Sequence, residues 1–281
     1  MRILATMLLV MAALAGSWIT EAAQPVLTIT GGGRSKEFTT AALLGRSDTV
    51  SLVVQHDVSY KRSMTYRAVP LLALLDQVRD DRSDTVEARA TDGFVAQLPL
   101  ALILQGAGAG AVAWLAVEDP AQPWPPLPQR NVSAGPFYVV WDQPQRSGVT
   151  SEQWPYALAS LTLVESPVHR WPQLDLPADR SADAAARVGQ KAFFSFCLPC
   201  HRLNGGGGGE MGPDLGRPMN ATQYLTEAGL RAIIRNPRAV RSWPGQQMTG
   251  FDAQTLPEAD LRALLIYLRA MAGPAVAGPR Q

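Results

Sequence analysis

The spacing of apolar residues changes once along the chain, near residue 180. Before that point the apolar stretches are short. Residues 27–30, 49–55, 85–90, 94–98, 111–117, 137–141 and 157–164 are runs rich in Val, Leu, Ala and aromatic side chains, set between turn-forming residues. Such runs predict strands. Thr91-Asp-Gly93 separates two of them and signals a hairpin. Thr39 or Thr40 can cap a short helix through Leu44, and Val69-Pro70 can open another to Val78. Beyond residue 180 the period lengthens. Leu261, Leu264, Leu265 and Leu268, with Tyr267 beside them, recur at helical spacing and predict a helix over 258–271. Gly189 and Phe193 lie four residues apart, on one face of a helix. The expected architecture is two-domain: an α+β domain over 25–165 and an all-α domain over 183–273. Pro167, Pro172 and Pro177 should stiffen 166–182 into a spacer, and 274–281 is a tail.

A length of 281 residues leaves room for two cores. The first 23 residues are expected to belong to neither. Arg2 precedes an apolar run over 3–15, and the small residues Ala22 and Ala23 follow. This is the pattern of a secretory signal peptide. The alternative is an uncleaved anchor, although 3–19 is barely long enough to span a bilayer. No later segment is long enough, so no membrane span is expected once the signal is removed.

The chain has two cysteines, both in Cys197-Leu-Pro-Cys200-His201. Two thiols at this spacing can add across the two vinyl groups of one haem, and the adjacent His can reach its iron. This is the attachment pattern of a c-type haem. A zinc half-site would need two more ligands nearby, and none follow at finger spacing. A redox dithiol would not need His201. One covalent haem c is therefore expected, held through Cys197 and Cys200 with His201 on the metal.

The residues around the pentad resemble a class I cytochrome c from about 181 to 273. Gly189-x-x-x-Phe193-x-x-x-Cys197 is similar to that family's first helix, with Gly189 allowing close passage of the last one. Gly212-Pro-Asp-Leu215 is similar to the segment whose Pro carbonyl orients the proximal His, which implies that role for Pro213. Residues 230–237 resemble the helix closing the haem pocket. Met248-Thr-Gly-Phe251 resembles the segment carrying the second axial ligand, with Thr249 where Pro is usual, so the resemblance implies Met248 on the metal. Met219 is the runner-up and His169 a weaker candidate. Trp243 either donates its indole hydrogen to a haem propionate or caps the pocket. The run 205–209 is five glycines and reads as a flexible insertion.

Residues 65–71, 92–99 and 154–158 resemble segments of the molybdopterin-binding domain of the sulfite oxidase fold. That family ligates molybdenum through a Cys after an early strand. The corresponding stretch here, 53–60, has none. Molybdopterin is therefore not expected. His56, Asp57 and Tyr60 read either as a polar loop or as a remnant anion pocket with Lys61, Arg62 and Arg67.

Charge refines the picture. The net charge is +1, but residues 1–180 carry −3 and 181–281 carry +4. Arg231, Arg235, Arg238 and Arg241 form either a solvated face or a docking patch for an acidic partner. Nucleic acid does not fit so modest a charge. Together, the resemblances imply a cytochrome exported to the periplasm of a Gram-negative bacterium. It would transfer single electrons between redox partner proteins through one His/Met haem, more as an electron-transfer protein or subunit than as a free-standing enzyme. The alternative is a haem-containing oxidoreductase whose first domain oxidises a small substrate.

Overall fold

Nine strands form two sheets in the first domain. In the computed structural model the described residues are 24–128 and 130–272. The expected signal peptide and tail lie outside them. The strands are β1 (Val26–Gly31), β2 (Arg34–Thr39), β3 (Val50–Val54), β4 (Met64–Pro70), β5 (Thr85–Ala90), β6 (Val95–Pro99), β7 (Val112–Val117), β8 (Phe137–Asp142) and β9 (Leu158–Val164). One sheet has the order β2-β1-β9-β5-β6, and the other β3-β4-β7-β8. Only the β1–β9 pairing is parallel. Leu27, Ile29, Val86, Ala88 and Leu161 of the first sheet share a core with Tyr66, Leu115, Tyr138 and Val140 of the second. Alternation along each strand supplies that common face.

Seven of the strands lie where the apolar runs placed them. Two do not. β2 reads Arg-Ser-Lys-Glu-Phe-Thr and has no apolar face to detect. It is an exposed edge strand, formed because the Gly32-Gly33 turn folds it back on β1. β4 occupies the stretch expected to lead directly into a helix. Its pattern of buried and exposed residues alternates from Met64 to Ala68, and the helix starts only after Pro70. The short helices are α1 (Thr40–Leu44), α2 (Leu71–Leu75) and α3 (Leu100–Leu104). Thr39 caps α1 by accepting the Ala42 amide at 3.1 Å.

The second domain is helical: α4 (Pro167–Arg170), α5 (Ala184–Phe196), α6 (Ala221–Tyr224), α7 (Glu227–Arg235), α8 (Pro237–Val240) and α9 (Glu258–Ala270). α5 crosses α9 as expected. A Cβ on Gly189 would fall onto the Ala263 carbonyl and within 2.8 Å of the Tyr267 Cβ. Only glycine lets the two backbones approach this closely. Phe193 and Tyr267 then meet with ring centroids 5.5 Å apart. The apolar stripe of α9 is buried throughout. Among the described residues, no helix is long and apolar enough to cross a membrane.

The segment 166–182 is not a free spacer. Its first part is tied to the first domain. Arg170 pairs with Glu87 and donates to Gln97 at 3.2 Å, while Gln97 donates to Glu87 at 3.1 Å. Its second part belongs to the helical core, where Leu174 and Leu176 are buried. The Leu174 carbonyl accepts from Tyr267 at 2.7 Å and from Gln190 at 2.9 Å. The three prolines stiffen the segment, but packing and hydrogen bonds fix it in place.

Candidate haem site

The pentad continues from α5 as a tight turn. The Cys197 amide donates to the Phe193 carbonyl at 2.9 Å, closing the helix. The Cys197 carbonyl then accepts from Cys200 at 3.1 Å and His201 at 2.8 Å. This turn brings both thiols and the imidazole to one place. The thiols are not joined to each other. Burial pushes both up to about 12, so they are held as neutral thiols.

His201 is fixed from its far side. Its Nδ1 lies 2.8 Å from the Pro213 carbonyl. A carbonyl can only accept, so Nδ1 carries the hydrogen and Nε2 keeps its lone pair. Burial also lowers the proton affinity of His201, favouring the neutral ring. Gly212 lies beneath the imidazole. A Cβ there would be 2.6 Å from Nδ1 and 2.9 Å from Nε2. The Gly-Pro-Asp segment thus supplies both the carbonyl that meets Nδ1 and the bare glycine beneath the ring.

The glycine run is ordered by its neighbours. Leu203 and Gly206 exchange two backbone hydrogen bonds of 2.9 Å. Asp214 accepts from the amides of Asn204 at 3.0 Å, Gly205 at 2.7 Å and Gly216 at 2.8 Å. A flexible insertion was expected at 205–209. The structure instead has a loop pinned to the segment that holds His201. Asp214 was missed because a carboxylate that caps loop amides has no signature beyond its own letter.

On the other side, residues 241–257 run from α8 to α9 and carry Trp243 and Met248. Met248 is half-buried in this loop. Of the other methionines in this domain, Met271 is buried in the helical core, Met219 is 42% exposed, and the Met211 sulfur lies 3.7 Å from that of Cys200. His169 is exposed on α4. Trp243 is 51% exposed, with the Arg241 guanidinium 5.8 Å above its ring. Sequence reasoning missed Gln246. Its side-chain oxygen and nitrogen are both buried and have no hydrogen-bond partner in the protein. A buried amide costs free energy unless it is satisfied. Its place in the Met248 loop fits a polar haem edge. Two thiols, a neutral imidazole with a free Nε2, a glycine cradle and an unsatisfied amide together suit a haem.

The arginine group divides. Arg231 pairs with Glu227 and Glu258, and Arg235 pairs with Glu258. Arg235 also donates to the carbonyls of Phe251 at 3.0 Å, Asp252 at 2.9 Å and Leu256 at 2.6 Å. It therefore clamps the end of the Met248 loop. Arg238 and Arg241 are exposed.

The first domain forms one wall beside the pentad. β6 is an edge strand, and its Val95 amide donates to the Pro199 carbonyl at 2.9 Å, between the two cysteines. Asp57, expected in a polar loop or an anion pocket, is buried instead. It accepts from Tyr66 at 2.8 Å, Tyr138 at 3.3 Å, and the amides of Ser59 and Tyr60 at 2.8 and 2.7 Å. Its carboxylate is used by the fold, whereas Lys61 and Arg62 face outward. Trp141 is buried, with its indole donating to the Gln153 carbonyl at 2.8 Å.

A search of curated proteins gives no match to this chain. Residues 186–272 match the family model of cytochrome c, so the helical domain is a cytochrome c domain, with haem as its cofactor and electron transfer as its function.

Proposed function

We propose that this chain carries one haem c bound covalently to Cys197 and Cys200, with His201 and Met248 as axial ligands, and passes single electrons between proteins in the periplasm. The observation that carries this reading is the Nδ1 contact of His201 with the Pro213 carbonyl, which leaves Nε2 free to bind iron. When bound, the haem supplies a one-electron couple. The protein does the rest. Pro213 fixes the tautomer and orientation of His201. Arg235 fixes the loop that presents Met248. The places of Met219 and Met271 support Met248 by contrast, the first being exposed and the second committed to the core. A His/Met pair would leave no open metal position for a substrate.

The first domain is proposed to bind no molybdopterin and to act as a scaffold for the cytochrome domain. The Val95–Pro199 contact supports this, because it sets the sheet edge against the attachment site. Acid–acetone extraction of the exported protein tests the covalent link. Haem should stay with the native chain and be lost from Cys197→Ala/Cys200→Ala. Met248→Ala should abolish the long-wavelength absorbance of sulfur-ligated ferric haem and lower the midpoint potential. Unchanged spectra in that variant, with loss in Met219→Ala, would reassign the ligand.

A further inference from the structure

The two sides of the haem site are not equally open. On the pentad side, the β5–β6 hairpin of the first domain lies across the chain that carries the thiols. The Val95 amide donates to the Pro199 carbonyl at 2.9 Å, and the Glu210 amide donates to the Gly93 carbonyl at 3.4 Å. A Cβ on Gly208 would stand 3.6 Å from the Val95 Cγ1. Charges here are paired, Arg202 with Glu210 and Arg170 with Glu87. A partner protein cannot approach the attachment turn where this hairpin sits.

The side formed by α8 and the Met248 loop is different. The Phe251 ring ties it to the pentad, with its centroid 5.5 Å from that of Phe196, the residue before Cys197. The Phe251 amide also donates to the Ile234 carbonyl at 2.9 Å. From this anchored base four side chains point to solvent. Val240 and Trp243 are 48% and 51% exposed, and Arg238 and Arg241 are exposed as well. Trp243 is not loose. The Gln246 amide donates to the Trp243 carbonyl at 3.3 Å, and Gly245 between them has φ 79°. Pro followed by Gly at positive φ is the pattern of a type II turn. The Arg241 guanidinium lies 5.8 Å from the Trp243 ring. Among the described residues, neither Arg238 nor Arg241 forms an ion pair, whereas Arg231 and Arg235 are held by Glu227 and Glu258. Residues 236–251 include no Asp or Glu. Asp252 follows, and its carboxylate accepts from the Gln254 and Thr255 amides at 3.0 and 2.7 Å.

We propose that α8 and the Met248 loop form the face at which electrons are exchanged, and that this face docks a redox protein with an acidic surface. This rests on the covalent-haem reading above. Val240 and Trp243 supply an apolar centre, and Arg238 and Arg241 supply two free cations around it. Trp and Arg are the residue types that carry much of the binding energy at protein interfaces. A Trp already fixed by a turn loses little freedom on binding. The unpaired arginines draw in a surface of opposite charge and speed encounter. A membrane fits less well, since clusters of about four to eight cations are what hold a chain to anionic lipid. On docking, one electron moves between the haem and the partner's redox centre. One centre is oxidised as the other is reduced, and no bond forms and no proton moves.

The test uses the full-length holoprotein, with an acidic blue-copper protein of higher potential as the probe. The visible spectrum and mass come first. A chain without covalent haem would overturn the haem reading and this inference together, before any rate is read. Stopped-flow oxidation of the ferrous protein should slow as salt is raised, because exposed charges are screened beyond about 8 Å at physiological strength. In Arg238→Glu/Arg241→Glu the rate constant at low salt should fall on the order of tenfold, and added salt should no longer slow the reaction. Arg34→Glu/Lys36→Glu reverses as much charge on β2, at the opposite edge of the sheet from β6, and should leave the rate nearly unchanged. Trp243→Ala should weaken the complex, read from saturation of the observed rate, by about fivefold. The midpoint potential is read in every variant, so that a change in driving force is not mistaken for a change in docking. Equal losses in the two double variants, or none in Arg238→Glu/Arg241→Glu, would overturn the proposal with the haem reading intact. Binding to phosphatidylglycerol vesicles or self-association, abolished in Arg238→Glu/Arg241→Glu while the blue-copper rate holds, would overturn it in favour of a membrane or a second copy.

Discussion

The two domains hide their interiors in different ways. The first closes two sheets over a wide apolar core and buries a carboxylate, Asp57, that is fully engaged by two tyrosine hydroxyls and two amides. Its neighbours, Tyr66, Trp124, Tyr138, Trp154 and Tyr156, meet edge-on or tilted around it. The cytochrome domain has a thinner core, completed by Leu174 and Leu176 from the connecting segment. It leaves the Gln246 amide unsatisfied and the His201 Nε2 unprotonated. One domain is complete in its own side chains. The other is shaped around a group it must acquire, and it leans on chain that precedes it.

The contrast breaks most severely at the α5–α9 crossing. Gly189→Leu should prevent the cytochrome domain from folding, because there is no side-chain motion that clears the Ala263 backbone. The cost should be about 3 kcal/mol or more. Circular dichroism should show the helical signal reduced and the β signal kept. Next comes the segment 166–182. A fragment starting at residue 183 lacks Leu174 and Leu176, and losing a buried leucine side chain costs about 2–5 kcal/mol. A fragment starting at residue 167 keeps both. Haem retention and thermal melting should separate the two fragments, the longer one being the more stable. A fragment that begins after the connecting segment therefore lacks part of the helical core.

In the first domain, Asp57→Ala should cost about 3–5 kcal/mol, since it strands the Tyr66 hydroxyl in the interior and removes the acceptor of the Ser59 and Tyr60 amides. Tyr66→Phe removes one donor and should cost about 1.5–3 kcal/mol. Denaturant melts should show both losses in the β domain, with the haem spectrum unchanged.

Much of this division is legible in the chain. Cys197, Cys200 and His201 are specified by spacing, and Pro213 by its place in a short marker. Gly189 and the leucines of α9 are specified by helical period. These signals are local. What the sequence hides is long-range. Asp57 looks like a loop residue because its partners Tyr66 and Tyr138 are 9 and 81 positions away. Arg231 and Arg235 look like a free basic face because Glu258 is 27 and 23 positions away. The prolines of 166–182 look like a spacer because Glu87, 83 positions from Arg170, does not announce its role. β2 is silent because an exposed edge strand needs no apolar alternation.

The smallest expected effect lies at the domain interface. Burial alone would raise Glu87, but hydrogen bonds from Arg170 and Gln97 outweigh it and hold the carboxyl below its ordinary range. The folded state therefore binds the proton less tightly than the unfolded chain. Its stabilisation is complete above the ordinary glutamate value of about 4.3 and fades as pH falls below it. Arg170→Ala should loosen the contact between domains by about 1–2 kcal/mol at neutral pH and by less in acid. Proteolysis within 166–182 at both pH values reads this directly.

The proposed function depends on thioether bonds from Cys197 and Cys200 to one haem. Alkylation of the unfolded, exported protein, followed by mass spectrometry of the peptide spanning residues 197–201, tests it. One haem on that peptide, with neither Cys197 nor Cys200 alkylated, is the predicted result; two alkylated cysteines and no haem would contradict it.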